Sequence, residues 1–278
     1  MVNSPIFLRL AGGLGNQLFQ VAAASLYSRW LDKGVCIISD GLSSYKSHRK
    51  LLYHHVLRPR LANWHLPLRD SLASLVFSRL RLGRLPIPNL TINDGNALTP
   101  MECWPKCLPK FMDGYFQGFW TYSLFIEALS NFIIPSFPET LDSLPASGYV
   151  AVHIRGSDFL SVKGFDVVGS SFYSHCFDQA VSHGYTRFVV YTDDLDYASS
   201  ILSVIRFRHC SVSVDVMSSV SVLDDFNGIR WADARIIGNS TFGWWAAALS
   251  SGGPTWSTPQ FVEKSRKPFI LPGEIYVS

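Results

Sequence analysis

Three short passages carry the residue types that do chemistry. The run Tyr149-Val-Ala-Val-His153-Ile-Arg155-Gly-Ser-Asp158-Phe159 is apolar and ends abruptly in a histidine, an arginine and an aspartate. A guanidinium offers a rigid fork of donors that matches two oxygens of a pyrophosphate, which is one reading of Arg155. The other is a structural ion pair at a strand end. His153 is suited to hydrogen-bond a base or ribose, and equally to be a satisfied core histidine. Asp158 would orient Arg155, bind a sugar, or cap the loop that follows.

The second passage is Ala11-Gly12-Gly13-Leu14-Gly15-Asn16-Gln17-Leu18-Phe19-Gln20. Glycines between a strand and a helix let backbone amides approach an anion. Gly13-x-Gly15 and Asp40 match part of a dinucleotide fingerprint, but Leu18 stands where its third glycine belongs. A plain tight turn is the simpler alternative. Asn16 and Gln17, adjacent amides at a helix start, point to ligand contact beyond capping. The third passage, Gly238-Asn239-Ser240-Thr241-Phe242-Gly243-Trp244-Trp245-Ala-Ala-Ala-Leu249, puts two hydroxyls at a helix start. Hydroxyls and first-turn amides together bind phosphate, although N-capping uses the same residue types.

These passages need a scaffold. Strand-like and helix-like patterns alternate along the chain, the mark of an α/β architecture with parallel sheets. Strands are expected at Ile6–Ala11, Val35–Ser39, Gly114–Trp120, Tyr149–Arg155, Arg187–Thr192 and Val212–Val216. Helices are expected at Asn16–Asp32, Tyr122–Phe132, Phe172–Ser182, Leu195–Ile205 and Thr241–Leu249. In the strand at Tyr149, alternation puts Ala151, His153 and Arg155 on one face, and apolar residues on both faces mark a central parallel strand. Ligands of such sheets sit beyond the carboxyl ends of the strands. Pro135, Pro138 and Pro145 mark a link, so we expect two Rossmann-type domains, 1–135 and 146–278, facing one another across a cleft.

Composition bounds the function. The 278 residues are 47% hydrophobic and 16% charged, as in a well-packed globular protein. A net charge of +3 does not call for a nucleic-acid partner. Between Lys46 and Arg84, however, nine Lys or Arg stand against the single acid Asp70. That segment is either a solvated basic face or a contact with an anionic membrane surface. Cys36, Cys103, Cys107, Cys176 and Cys210 show neither disulfide-framework nor zinc spacing and are expected to be free, buried thiols in a reducing compartment. The first residues lack the basic start and apolar core of a signal peptide. The segment Ile236–Val262 is uncharged but broken by Gly252, Gly253 and Pro254, hence a loop-helix-loop and no membrane span. A cytoplasmic protein peripheral to the inner membrane face is the resulting expectation.

Taken in order, the passages resemble the inverting α-1,2-fucosyltransferases of glycosyltransferase family 11. Gly12–Gln20 is similar to that family's G-G-L-G-N-Q-x-F-Q, and His153–Asp158 to its H-x-R-R-x-D. Thr192-Asp193-Asp194 resembles its S/T-D-D, Gly114-Tyr115-Phe116-Gln117 its G-Y-F/W-Q, and Asn239–Leu249 its N-S-T/S-F-x-W-W-A-A-x-L. The resemblance implies a GT-B-like enzyme that takes L-fucose from GDP-fucose without a metal and places it on a β-galactoside of a surface glycan, as in O-antigen biosynthesis. It implies that the second domain binds GDP. Arg155, Ser240, Thr241 and Phe242 would then surround the pyrophosphate and fucose, with His153 and Asp194 nearer the guanosine and Asn239 beside them. Gly13, Gly15, Asn16 and Gln17 would belong to the donor side of the Gly-rich loop, with the acceptor against the first domain. Arg155 and Asp158 are its expected catalytic pair, Asp158 as the best available base.

The chain departs from the family at one point: Gly156 stands where a second arginine is expected. Gly156 would instead let the backbone approach the phosphate. Three competing readings remain at this level. Asp194-Leu-Asp196 matches a D-x-D metal motif. The Gly13–Asp40 pattern suits a nicotinamide-dependent oxidoreductase. The same motifs also suit transfer from another nucleotide sugar.

Overall fold

In a computed structural model, the structure describes residues 5–39, 42, 50–59, 64–65, 91–94, 110–118, 120–135, 145, 147–157, 160, 167–217, 221–261 and 267–277. Asp40, Asp158, Cys103, Cys107 and most of the basic segment 46–84 lie outside them. The chain divides into two compact units, Met1–Phe137 and Pro138–Ser278.

Unit 1 is built on β1 (Ile6–Arg9), β2 (Val35–Ile38), β4 (Trp64–His65), β5 (Thr91–Ile92) and β6 (Lys110–Met112). Their order is β4-β2-β1-β6-β5, every pair parallel. A separate antiparallel pair joins β3 (Leu57–Pro59) to β7 (Ile133–Pro135). Between β1 and β2 runs α1 (Leu14–Leu31), whose alanine- and leucine-rich middle favours helix. Residues Gln17 to Ser28 are all buried, so the middle of α1 is covered on every side. It stops at Asp32, whose left-handed conformation (φ 51°) returns its N–H to the Arg29 carbonyl.

The strand expected at Gly114–Trp120 is not there. The strand is β6, which closes at Met112, and a loop follows. The Asp94 carboxylate accepts the N–H groups of Tyr115 (2.9 Å) and Phe116 (2.5 Å), removing the donors a strand ladder would need. Phe116 adopts φ 53°, incompatible with a strand. The following helix, α2 (Tyr122–Glu127), is capped by the Thr121 hydroxyl and continues as a π-turn over Ala128–Phe132.

Unit 2 alternates strands and helices from Val150 to Ser257, and one further strand follows. Its strands are β8 (Val150–Ile154), β9 (Arg187–Thr192), β10 (Ser213–Val216), β11 (Ala234–Ile237), β12 (Thr255–Ser257) and β13 (Glu274–Tyr276). Its helices are α3 (Ser170–Ser182), α4 (Leu195–Arg208), α5 (Val222–Trp231) and α6 (Thr241–Ala248). All six strands are parallel in the order β10-β9-β8-β11-β12-β13. Every residue of β8 is buried. Val150, Val152 and Ile154 pack with Phe172, Cys176 and Phe177 of α3 and with Ile201, Leu202 and Ile205 of α4. The opposite face meets α6, where His153 lies against Phe242. The uncharged stretch from Ile236 thus includes the end of β11 and all of β12 as well as α6. Among the described residues no helix is long and apolar enough to cross a membrane. Cys36 and Cys176 are free and buried; Cys210 is free but exposed, contrary to expectation, because it falls in the turn after α4.

A fully buried arginine closes the far end of this sheet. Arg235 donates to the carbonyls of Ile229 (2.9 Å), Arg230 (2.7 Å), Ala232 (2.5 Å) and Gly252 (2.8 Å). It thereby satisfies the carbonyls at the end of α5 that have no partner within the helix. Burial pulls its pKa down to about 10, so it stays charged. Arg235→Met leaves those carbonyls without donors and is expected to cost about 3 kcal/mol of stability. A urea midpoint equal to that of the wild type would contradict this role.

Candidate active site

In unit 2 the chain runs from β8 outward to β9 and β10, then returns to the other side of β8 with β11, β12 and β13. The reversal lies between β8 and β11. Ligands of open parallel sheets bind at such a switch point, outside the carboxyl ends of the strands. The two segments that emerge there are His153–Ser157 and Gly238–Thr241, because Ile237 of β11 pairs with His153 of β8. Topology therefore brings together two passages more than eighty residues apart.

Arg155 is the first residue past β8. Its Nη1 lies 2.6 Å from Oδ2 of Asp193, and its side chain remains 23% exposed. Asp193 stands at the end of the neighbouring strand β9; Asp158 lies outside the described residues. The other oxygen of Asp193 accepts the Gly156 N–H (2.9 Å). Asp194 continues the arrangement: Oδ2 accepts from Ser157 N–H and Oδ1 from Tyr197 N–H, capping α4, both at 3.0 Å. The carboxylate of Asp194, placed nearer a guanosine by the family resemblance, accepts one backbone donor on each oxygen. The Gly156 backbone gives its N–H to Asp193. A Cβ on Gly156 would stand 2.5 Å from Cβ of Asp194, so glycine is required for the two turns to touch.

His153 is only 6% exposed, with its ring 5.3 Å from that of Phe242 and its carbonyl accepting from the Tyr173 hydroxyl. Its Nδ1 faces Gly243 in the first turn of α6, where a Cβ would stand 3.0 Å away, and has no hydrogen-bond partner among the described residues. Burial, then the nearby Arg155 charge, lowers its pKa from 6.5 to about 4; Asp193 opposes the shift. An unfolded chain takes up this proton near pH 6.5 and the folded one resists until about pH 4. Stability is therefore complete above pH 6.5 and falls on acidification through that window, by on the order of 3 kcal/mol when fully expressed. His153→Gln removes the titrating group and should flatten the denaturation midpoint between pH 6.5 and 4. Parallel pH profiles for variant and wild type would refute it.

Beside His153, α6 begins at Ser240, whose hydroxyl accepts the Phe242 N–H (3.2 Å). Ser240 and the preceding Asn239 are buried, and Thr241 and Phe242 form the helix start. Phe242 is gripped between His153 and Phe226 of α5. Trp244 and Trp245 are fully buried packing residues. Ser240 thus acts as a cap, and the first turn of α6 presents the positive end of the helix dipole at the switch point.

In unit 1 the corresponding reversal lies between β1 and β6. The Gly-rich loop leaves β1 there. Gly12 has φ 80°, which favours glycine, and a Cβ on it would press on the Asn16 side chain, with Nδ2 at 2.5 Å. Gly13 is the N-cap of α1 and Gly15 is buried in its first turn. Oδ1 of Asn16 accepts from Nε2 of Gln117 (3.0 Å), in the loop after β6. Gln17 is a bracket, not the ligand contact the sequence suggested. Its amide donates to the carbonyls of Gly12 and Lys50 and accepts from the N–H groups of Leu52 and Tyr53, which uses all four of its hydrogen bonds. Gln20 ties Ala11 N–H to the Gly114 carbonyl in the same manner. Leu18, in place of the dinucleotide motif's third glycine, is fully buried.

The sequence matches the model of glycosyl transferase family 11 over residues 9–266. The chain belongs to glycosyl transferase family 11. No curated protein matches its sequence significantly. Among solved structures it resembles the fucosyltransferase NodZ from Bradyrhizobium, at 12% identity and a TM-score of 0.53, covering 90% of this chain and 94% of that one. It also resembles POFUT1 in complex with GDP-fucose, at 13% identity and a TM-score of 0.54, covering 92% and 98%. A further NodZ structure, an α-1,6-fucosyltransferase soaked with GDP-fucose, aligns with a TM-score of 0.52 at 12% identity, over 89% and 93%. At such identities the likeness is one of fold: an α/β fold with parallel sheets, GT-B-like as the motifs implied.

For this family 11 chain, the sequence singled out Arg155, His153 and the start of α6, which the fold brings to one switch point, but not Asp193, which pairs with Arg155. The available signal was the pair of adjacent acids closing an apolar strand. Gln117 was legible only as part of a motif, and its bond to Asn16 joins residues 101 positions apart.

Proposed function

We propose that the protein is an inverting fucosyltransferase that moves L-fucose from GDP-fucose to a hydroxyl of a β-galactoside on a surface glycan, in α-1,2 linkage. Family membership supports glycosyl transfer, and neighbours of the same fold bind GDP-fucose. The observation that carries the reading is the position of Arg155 at the β8/β11 switch point, with its neighbour His153 packed on the first turn of α6. The α-1,2 linkage and galactoside acceptor rest on the motif resemblance alone, since the neighbours include an α-1,6-fucosyltransferase.

In this mechanism the acceptor hydroxyl oxygen attacks the anomeric carbon as the bond to GDP breaks, inverting the configuration, and its proton passes to a carboxylate base, for which Asp158 is the candidate. Negative charge builds on the departing diphosphate. Arg155 and the α6 N-terminus would stabilise that charge, the part a metal ion plays in other glycosyltransferases. The test is radiolabelled GDP-fucose supplied with a panel of β-galactoside, N-acetylgalactosamine and glucose acceptors, the product linkage being determined by NMR. Label on the 2-hydroxyl of galactose, undiminished by excess EDTA, is the expected result. Transfer only from a different nucleotide sugar would sink the donor assignment, and abolition by EDTA would sink the metal-free mechanism.

A further inference from the structure

We propose that Asp193 is the positioning residue of Arg155. This rests on the donor reading above. One carboxylate holds the arginine twice, by Nη1 at 2.6 Å and through the N–H of the next residue, Gly156, at 2.9 Å. Side chain and main chain are thus fixed by the same rigid group. The grip extends to Ser157, whose hydroxyl donates to the Asp193 carbonyl (2.7 Å) and whose N–H donates to Asp194 (3.0 Å). Ser157 adopts φ 25°, a conformation serine rarely takes, and contacts on both sides hold it there. Gly156 permits the arrangement, since any side chain would strike Asp194.

The effect of such a clamp is preorganisation. An unrestrained arginine samples many rotamers and must be ordered as the leaving diphosphate develops charge. A clamped one already stands in place. The pair is only partly buried, with side-chain exposures of 23% and 28%, so the guanidinium is held without being sealed off. A negative partner also tempers the attraction of Arg155 for a bound diphosphate. Asp193 should therefore serve the transition state more than ground-state binding, and its loss should appear in kcat.

The deciding experiment is a double-mutant cycle on kcat, by single-turnover transfer from radiolabelled GDP-fucose at high enzyme concentration. Asp193→Asn keeps an acceptor for the Gly156 N–H and removes the charge. It should lower kcat by about 10- to 100-fold, with the acceptor KM and the thermal midpoint unchanged. In the Arg155→Ala background the same substitution should have no further effect, because Asp193 acts through Arg155. Effects that multiply would overturn the proposal, as would a fall in acceptor affinity with kcat intact. Asp193→Ser, which also removes the charge and keeps an oxygen acceptor, completes the cycle where the asparagine variant does not fold. A wild-type protein that ignores GDP-fucose would remove the donor reading and this inference with it. Multiplying effects in an active enzyme remove only the inference.

Discussion

Arg155→Ala should lower turnover with GDP-fucose by about 10²–10³-fold and leave the thermal transition where it is. The size follows from the charge the leaving group acquires: removing one preorganised donor from a developing anion costs roughly 3–4 kcal/mol, and the donors here are charged. The thermal transition should hold because Arg155 lies beyond the last residue of β8, outside the packed core. Arg155→Lys tests the geometry as well as the charge. An ammonium restores a positive charge without the planar fork, so partial recovery is expected. Near-normal turnover of the alanine variant would remove Arg155 from the mechanism and return it to a structural ion pair with Asp193.

The second large effect concerns Gly156. The family pattern places an arginine here, and a natural guess is that Gly156→Arg would improve the enzyme. The opposite is expected. The obstacle is the first carbon of any side chain, which would lie 2.5 Å from Cβ of Asp194 and 2.8 Å from its carboxylate. Asp194 cannot retreat without releasing Tyr197 at the start of α4 and Ser157 in the arginine loop. Loss of the cap and overpacking together should cost about 2 kcal/mol or more. The displaced loop carries Arg155 with it, so turnover should fall at least about tenfold. Because the clash is at Cβ, Gly156→Ala should show most of the stability loss by itself, read as a several-degree drop in melting midpoint. A more active Gly156→Arg enzyme would show that the loop can accommodate the family's second cation.

Several elements were legible because their signals are local. The apolar runs of β8 and β9 and the alanine-rich α1 depend on neighbours in the chain, and each lies within a few residues of its expected position. Helix α5 escaped notice because Asp224, Asp225, Asn227 and Gly228 interrupt its apolar pattern. Gly228 is in place to admit the Tyr191 ring, a contact from a distant strand. Strands β12 and β13 have three residues each, too few for a period to show, and Gly252, Gly253 and Pro254 made the first look like loop. The segment after Gly114 was misread for a related reason. Its alternation is real, but Asp94 takes the N–H groups on which a strand would depend.

By itself the sequence determined the residue types at the ends of β1, β8 and β11 and the parallel α/β rhythm that sends those ends to one edge of each sheet. It could not decide what each side chain does there, because function depends on the strand order. Only the order β9-β8-β11 sets Asp193 against Arg155, makes Gly156 a contact point for Asp194, and lays Phe242 on His153. In unit 1 the approach of Lys50–Tyr53 to α1 turned Gln17 from an apparent ligand into a bracket. Each of these contacts joins residues 33 to 89 positions apart, and no local pattern encodes which of several polar groups a buried donor will meet.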